Sequence, residues 1–400
     1  MARQAATARR DMVLPAHGPD YALIAVLAVL LAIGLITIYS SSYALGYAQF
    51  DDANYFAKRQ AVFTAVGAVV MVIAMQIDYR ILRHLSLLVM LATLLALAAV
   101  LIPGLGVEQN GAQRWIALGP LPPLQPSEFA KLAMLIYMAA WLASKGEVVK
   151  DFSLGVVPFV GMVGLVAALI MLEPDLGTTI MIAVITGTLF FVAGARIKHV
   201  AALAASGVLA AVVLIASGDY RAQRILSFTQ AESDPEGLGF HTLQLLVAFG
   251  SGGLTGLGLG VSRQKFFYVP GSHTDGALAI VGEELGFIGV TVVLVLFAVL
   301  LWRGLRIARR APDRFGSLLV VGVLTWIAFQ LVINVGGVTR SIPLTGIPLP
   351  FLSYGGSATL SLMAALGVLL SVSRYAAIED PARATAQNGV LRYEPMGRPR

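Results

Sequence analysis

Cysteine is absent from the 400 residues of this chain, and histidine is scarce, with only five residues. The lack of cysteine excludes disulfide scaffolds, cysteine-ligated zinc, iron–sulfur clusters and thiol nucleophiles. The histidines are widely spaced and leave little room for a metal site built from imidazoles. Charged residues make up 12% of the chain, against roughly 25% in an ordinary globular protein. So little charge cannot cover the surface of a soluble protein.

Long apolar runs are what the chain has in abundance, and hydrophobic residues make up 58% of it. A helix needs about 20 apolar residues to cross a bilayer. The runs therefore predict an all-α polytopic membrane protein with about ten transmembrane helices. The first run is too long for a cleavable signal peptide, and no cleavage site precedes a soluble domain. The predicted spans are residues 21–42, 61–77, 85–102, 127–143, 152–172, 177–193, 199–217, 277–301, 317–338 and 351–372.

The placement of lysine and arginine predicts the orientation in the membrane. With the N-terminus in the cytoplasm, nineteen of the 28 basic residues lie on the cytoplasmic side and eight on the outer side. Both termini are therefore expected to be cytoplasmic. The net charge of +6 is then explained by topology and by contact with membrane lipids, and nucleic acid is not expected as a partner.

The chain divides into one membrane domain and two tails. Residues 19–375 form the predicted transmembrane domain, whereas residues 1–18 and 376–400 have no apolar period and are expected to be disordered cytoplasmic tails. A long outer loop, residues 218–276, joins the seventh and eighth spans. Within it, residues 240–260 are apolar but glycine-rich. We interpret them as an amphipathic or re-entrant piece, since a further span would place the next basic run outside.

Carboxylates concentrate at the outer end of the eighth span. Asp275 opens this span, and Glu283 and Glu284 follow about two helical turns later. Three carboxylates in a low dielectric cannot all stay charged and unpaired, so they require a metal, a basic partner or a proton. The alternative is structural: Asp275 caps the helix, and the two glutamates form a structural pair.

The segment from residue 111 to residue 133 contains a second polar group. Its Gln-Pro-Ser-Glu run predicts a helix start, and Glu128 and Lys131 are three residues apart, so they share a face and can pair. The pair either stabilises the helix internally or faces a polar cavity. Trp115, beside Arg114, is either an interfacial anchor or a platform for a sugar ring.

Two further segments carry polar residues next to apolar spans. Residues 172–177 form a tight turn with two acids, suited to a turn cap or to contact with a divalent cation. Residues 346–357 contain two prolines that forbid helix there. Non-helical backbone at membrane depth is tolerated only where protein or a water-filled cavity satisfies it. Ser353, Tyr354 and Ser357 supply hydroxyls in this segment.

Together these segments resemble the SEDS family of bacterial shape, elongation, division and sporulation proteins, to which FtsW, RodA and SpoVE belong. The resemblance runs from about residue 20 to residue 375, and FtsW is the member it resembles most. The motifs, in the family's order, are NGAQRWIALG with QPSEFAKLA, LEPDLGTT, GSGGLTGLGLGVSRQKFFYVP, HTDGALAIVGEELGFIG and TGIPLPFLSYGGSATL.

The resemblance implies a peptidoglycan glycosyltransferase that polymerises lipid II into glycan strands at the outer face of the plasma membrane. It implies a class B penicillin-binding protein, a transpeptidase, as partner, and a divalent cation, Mg²⁺ or Mn²⁺, as cofactor. The family's essential aspartate corresponds to Asp275, which we expect to act as the general base. The residues that match family positions around the central cavity, and are expected to bind substrate, are Arg59, Trp115, Glu128, Lys131, Lys265, Glu283 and Ser357.

The chain departs from the family pattern on both sides of the aspartate. Pro270-Gly271-Ser272 stands where the family has Pro-Glu-Ala, and Gly276-Ala277-Leu278 stands where it has Phe-Ile-Phe. The first change removes an acid, and the second removes bulk beside the expected base. The shape of the acceptor pocket is therefore expected to differ from the family's.

Two other functions are compatible with the same composition. A lipid II flippase or a secondary transporter would carry charges near the membrane midplane and show inverted repeats. Here the acids crowd the outer end, and no clear inverted repeat is present. A non-catalytic scaffold for the transpeptidase is the second alternative, and for a scaffold Asp275 would be dispensable.

Overall fold

A computed structural model describes residues 16–376 apart from 110–111, 120, 217–225, 230, 233, 235–236, 238, 267 and 270. The predicted tails lie almost wholly outside these described residues. At their inner edges, the ring of His17 bonds to the carbonyl oxygen of Ala376 at 2.8 Å.

The described residues form a bundle of helices with one small sheet. The helices are α1 Tyr21–Phe50, α2 Tyr55–Gln76, α3 Arg80–Val100, α4 Pro126–Lys145, α5 Val157–Leu172, α6 Leu176–Val192, α7 Ile197–Ala216, α8 Phe240–Ser251, α9 Ala277–Arg310, α10 Arg314–Val338 and α11 Gly356–Ser373. All except α8 correspond to a predicted span. Short 3₁₀ and π turns join α4 to α5.

Nine of these helices, counted over the described residues, are long and apolar enough to cross a membrane. The remaining predicted span, residues 177–193, corresponds to α6, whose 17 residues make a helix about 26 Å long. This is a few ångströms short of a typical hydrocarbon core, a mismatch that local thinning of the bilayer absorbs. The polytopic all-α fold is thus as predicted, and the candidate re-entrant piece contains the short helix α8.

The bundle has two chemically different ends. At the basic end, Arg303 pairs with Asp20, the N-cap of α1, through both carboxylate oxygens at 2.8 Å. Arg314 donates to the carbonyl oxygen of Ala193 at the same end. The opposite end carries Asp275 and is called the Asp275 end below.

The interior of the bundle consists of α4, α10 and α11, whereas α7 has no buried residue. The proline-containing segment that precedes α11 is buried as well, at Leu349, Phe351 and Leu352. Its backbone is satisfied inside the protein, since Leu349 donates to the Ser353 hydroxyl at 2.9 Å. The predicted non-helical segment therefore exists, but α11 begins at Gly356, five residues later than the predicted span.

A three-stranded antiparallel sheet lies at the Asp275 end, between α3 and α4. Its strands are β1 Gly106–Gln109, β2 Ala112–Leu118 and β3 Leu121–Leu124, in that spatial order. The apolar runs in the sequence do not predict this sheet. Strand β3 contains two adjacent prolines, which are compatible with an edge strand but remove backbone donors.

Helix α9 is interrupted at Gly286, whose φ of 67° lies in the left-handed region. The glycine-rich segment after α8 replaces the missing helical hydrogen bonds. Leu257 and Gly258 donate to the carbonyl oxygens of Glu283 and Glu284 at 2.9 and 3.0 Å. On the other side of the break, Phe287 donates to the carbonyl oxygen of Gly253 at 2.9 Å. The break thus presents both glutamate side chains to the outer loop.

Candidate active site

Asp275 lies in the turn that precedes α9. The side chain of Asn334, on α10, donates to the backbone carbonyl of Asp275 at 3.0 Å and fixes the turn. The Thr274 hydroxyl donates to the Asp275 carboxylate at 3.1 Å. The N-cap of α9 is Gly276, and no side chain caps it. Asp275 is therefore not a helix cap, which removes the structural alternative considered for it.

Gly271 makes room for the Asp275 side chain. Its φ is +65°, and a Cβ atom built there would lie 2.6 Å from Oδ1 of Asp275 and 2.8 Å from Oγ1 of Thr274. A side chain at position 271 would therefore require the side chains of Asp275 and Thr274 to move from their present positions. Gly271 is one of the positions at which the chain departs from the family pattern. The departure is therefore coupled to the placement of Asp275.

An aromatic cluster encloses His273, two residues before Asp275. Its ring lies 4.8 Å from that of Phe56, on α2, and 5.6 Å from that of Tyr354. Tyr354 also donates its backbone N–H to the His273 carbonyl at 2.8 Å. Burial lowers the pKa of His273 to about 4, and the opposing effect of the Asp275 charge, which raises the pKa, is smaller. His273 is therefore neutral at physiological pH.

Arg59 is the positive charge that α2 brings to this cluster. It lies one turn after Tyr55, and its guanidinium donates to the Tyr55 hydroxyl at 2.7 Å. Tyr55 in turn stacks on Phe50 at a ring distance of 3.7 Å. Burial raises the pKa of Tyr354, and Arg59 opposes this rise. The nearness of Arg59 to Tyr354 places a half-buried guanidinium beside the His273 cluster.

Glu283 and Glu284 anchor the outer loop. The Glu283 carboxylate accepts from the Ser262 hydroxyl and from the backbone N–H of Arg263 at 2.9 Å. The Glu284 carboxylate pairs with Lys265 at 3.0 Å and accepts from the Ser40 hydroxyl at 2.6 Å. All these side chains except that of Arg263 are buried. The predicted need for a basic partner is thus met at Glu284 by Lys265.

Glu128 and Lys131 form the predicted ion pair, with Nζ of Lys131 2.7 Å from Oε2 of Glu128. Lys131 is 2% exposed, and its ammonium also lies 4.8 Å from the ring centroid of Trp326, on α10. The pair is therefore inside the bundle. A lone charge left there would be costly, since neither group could reach bulk water.

Ser357 and Asp175 converge on the start of α4. Ser357 accepts a hydrogen bond from the backbone N–H of Gln125 at 3.0 Å. The Gln125 side chain reaches Asp175 at 3.3 Å, and Asp175 caps α6 by accepting from the backbone of Thr178 at 3.0 Å. Three of the sequence motifs meet here, and the turn interpretation of Asp175 is correct.

Glu173, in the same turn, is fully buried, and neither carboxylate oxygen has a hydrogen-bond partner. Burial, followed by the charge of Asp175, raises its pKa to about 8, although the charge of Arg114 and the nearby Ser127 hydroxyl oppose the rise. Arg114, on β2, donates to the backbone carbonyls of Glu173 and Pro174 at 2.8 and 2.7 Å. Arg114 therefore holds the turn without forming an ion pair with the Glu173 carboxylate.

Trp115 is half-buried on β2, where it pairs with Val107 in the sheet. The described residues bring no three His, Asp or Glu side chains together as a metal site. Ser40, Ser262, Lys265, Glu283 and Glu284 are called the outer cluster below. This cluster does not fit a resident divalent cation, because Glu283 and Glu284 already bind protein donors. The expected Mg²⁺ or Mn²⁺ stays a prediction, and no step below uses it.

Sequence reasoning missed three residues that position this site: Ser40, Asn334 and Arg114. Each is a polar residue in or beside an apolar segment, a signal that such residues have a partner. Their partners are 244, 59 and 59 residues away in the chain, so spacing could not identify them.

The family model described as cell cycle protein, for FtsW, RodA and SpoVE, matches residues 21–378. Stage V sporulation protein E of Bacillus subtilis (strain 168) is 48% identical over 358 residues, which cover 89% of this chain and 97% of that protein. A protein of Trichlorobacter lovleyi named probable peptidoglycan glycosyltransferase FtsW is 39% identical over 354 residues, covering 88% and 93%.

Solved structures resemble the fold over most of its length. A chain from a structure on the coordination of polymerization and crosslinking by a peptidoglycan synthase complex matches with a TM-score of 0.73 and 28% identity, covering 89% of this chain and 98% of that one. The rod shape determining protein RodA of Thermus thermophilus matches with a TM-score of 0.66 and 28% identity, covering 90% and 98%.

Proposed function

This chain belongs to the FtsW, RodA and SpoVE family of cell cycle proteins, and we propose that it polymerises lipid II into glycan strands with Asp275 as general base. The protein is an integral membrane protein and a peptidoglycan glycosyltransferase. Its donor carries the anomeric carbon on a pyrophosphate leaving group, and its acceptor is the 4-hydroxyl of an N-acetylglucosamine.

The environment of the Asp275 carboxylate carries the proposal. Among the described residues its side-chain partner is the Thr274 hydroxyl, whereas Glu283 and Glu284 are engaged by the outer loop. A general base needs an oxygen that can reach the acceptor proton. Asp275 has one, Asn334 holds the turn that carries it, and Gly271 leaves space for its side chain.

The reaction then proceeds as a single displacement. The acceptor hydroxyl gives its proton to Asp275 as its oxygen bonds to the donor's anomeric carbon. The bond from that carbon to the pyrophosphate oxygen breaks, and the polyprenyl pyrophosphate leaves with the electron pair. Attack from the opposite face inverts the configuration at this carbon.

Arg59 is the best placed cation for the leaving pyrophosphate. Lys265 is held by Glu284, Ser40 and a backbone carbonyl, and Lys131 is held by Glu128. Neutral His273 supplies no charge. Arg59 has a hydroxyl partner instead of a carboxylate, and fixed positive charge near a developing anion stabilises the transition state. We expect Arg59→Gln to lower the rate of polymerisation about 10²-fold.

We place the Asp275 end outside the cell and both termini in the cytoplasm, because the opposite end carries the basic excess. The similarity to a chain of a peptidoglycan synthase complex supports a class B penicillin-binding protein as partner. Glycan-strand synthesis during division and during elongation requires the same chemistry, so the site supports either role.

The test is glycan-strand synthesis from purified lipid II by the detergent-solubilised protein, with and without its cognate transpeptidase. Asp275→Asn should lower the rate roughly 10²–10⁴-fold, the usual contribution of general acid–base catalysis. The matched control is Asp51→Asn at the same end. Asp51 is exposed and has a left-handed backbone conformation, which asparagine also adopts readily. Thermal unfolding of each variant verifies that the fold is retained.

Activity of Asp275→Asn within a few-fold of the parent would refute Asp275 as the base. A scaffold predicts normal partner binding and no polymerisation by parent or variant. A flippase predicts movement of lipid II across vesicle membranes without strand formation.

A further inference from the structure

A groove of about 330 Å³ lies on the flank of the bundle, far from Asp275. Val156 and Val160 form one wall, at the start of α5, and Ala202 and Leu203 form the other, on the first turns of α7. Phe152, which is 61% exposed, lies at its mouth. Because α5 and α7 both begin at the basic end, the groove lies at that end.

The groove opens onto the bilayer. Helix α7 has no buried residue, and α5 is lined with exposed apolar side chains, including Val157 and Val160. Both helices qualify as membrane spans. A concave apolar surface in this position meets lipid chains, so its occupant is a hydrocarbon chain.

Polar groups at the mouth specify what that chain is attached to. Arg196 immediately precedes α7, and Lys198 is the second residue of that helix. Both are exposed, and neither forms an ion pair with any described residue. His199, which lines the groove, has a buried Nδ1 atom without a hydrogen-bond partner. Lys150, near the opposite wall, is instead paired with Glu147. Two unpaired cations and an imidazole nitrogen form a receptor for an anionic phosphate group.

We propose that this groove binds an anionic glycerophospholipid, with one acyl chain between α5 and α7 and its phosphate at Arg196, Lys198 and His199. The basic end of a membrane protein faces the leaflet that is rich in anionic lipid, and each nearby lysine or arginine adds to the attraction. The substrate's pyrophosphate belongs at Asp275, on the other side of the bilayer. Helix α7 spans about 30 Å, so one pyrophosphate cannot serve both places.

Native mass spectrometry of the detergent-solubilised protein tests this, with phosphatidylglycerol and phosphatidylcholine of the same acyl chains added in parallel. The parent should retain phosphatidylglycerol at least fivefold more than phosphatidylcholine. Ala202→Trp fills the groove and should abolish retention of both lipids. Ala201→Trp, on the opposite side of the same helix and exposed, is the matched control and should bind like the parent.

The headgroup contact is tested separately, without changing the packing. The double variant Arg196→Gln, Lys198→Gln should lower phosphatidylglycerol retention to the phosphatidylcholine level, whereas Arg83→Gln, another exposed basic residue, should not. Unchanged retention in both the groove and the charge variants would overturn the proposal. A further outcome would also overturn the proposal. If the parent and the charge variant retain an added polyprenyl phosphate and Ala202→Trp does not, the groove binds a substrate chain.

Discussion

Replacing Glu173 with glutamine should remove a loss of stability that the parent protein undergoes as the pH rises from about 4.5 to about 8. The carboxyl group is fully buried without a hydrogen-bond partner, and burial and Asp175 raise its pKa to about 8 from an ordinary 4.5. Below pH 4.5 it is protonated in the folded and unfolded states alike. Between pH 4.5 and 8 only the unfolded state ionises, so stability falls as the pH rises.

The size of this effect follows from the shift in pKa. One unit corresponds to about 1.4 kcal/mol, so a rise from 4.5 to about 8 corresponds to roughly 5 kcal/mol at most. Glutamine does not ionise, and its unpaired amide costs about 1–3 kcal/mol at every pH. The slope against pH, and not the absolute stability, therefore distinguishes the two proteins.

Thermal unfolding in detergent from pH 5 to pH 9 measures that slope. The unfolding temperature of the parent should fall relative to that of Glu173→Gln over this range and stop falling above about pH 8. Glu147→Gln is the control, since Glu147 is exposed and Lys150 lowers its pKa, and its curve should stay parallel to that of the parent above pH 5. Parallel curves for Glu173→Gln and the parent would show that Glu173 is ionised in the folded protein and would refute the reasoning.

Three further outcomes are expected. Glu128→Gln and Lys131→Met should each destabilise by about 3–5 kcal/mol, and the double variant by less than their sum; additivity in unfolding measurements would contradict a buried pair. Thr229 and Pro312 are both exposed, and each can be replaced singly by cysteine. A thiol reagent that does not cross the membrane should label the cysteine at position 229 in intact cells, and the cysteine at position 312 only after the cells are opened. Labelling of both positions in intact cells would refute the orientation. Gly286→Ala should lower the unfolding temperature more than Gly207→Ala on α7. The φ of Gly286 is 67°, and a Cβ atom there would lie 2.3 Å from the backbone nitrogen of Gly256, whereas Gly207 has open space around it. Equal effects of the two changes would mean that the break tolerates a side chain.

The predictable part of this molecule is local in sequence. A span is one continuous apolar run, and the Glu128–Lys131 pair is three residues apart on one helix, so both followed from spacing. The turn at Asp175 was predictable for the same reason. The small sheet was not, because its third strand consists of leucines and prolines and shows no alternation of polar and apolar residues.

The unpredictable part depends on contacts across the bundle. Lys265 and Glu284 are 19 residues apart on opposite sides of a turn, and Ser40 joins them from α1. Motif matching placed Lys265 and Glu283 in a substrate cavity, whereas spacing could not tell a ligand from an anchor for the outer loop. Burial and hydrogen bonding show the anchoring contacts directly, and whether either residue also binds substrate stays a prediction.

The interruption of α9 has a consequence for biogenesis. The glycine-rich segment leaves the ribosome before α9, yet several of its backbone groups, at Gly253, Leu254, Leu257 and Gly258, have their partners on the two sides of the break at Gly286. Until α9 has entered the membrane, these backbone groups of the segment and of the broken helix lack the partners that they have in the folded protein. Assembly of the Asp275 end therefore waits for the eighth span. A chain released before residue 288 would contain Asp275 and every residue of the outer cluster, yet it would be unable to hold them in place.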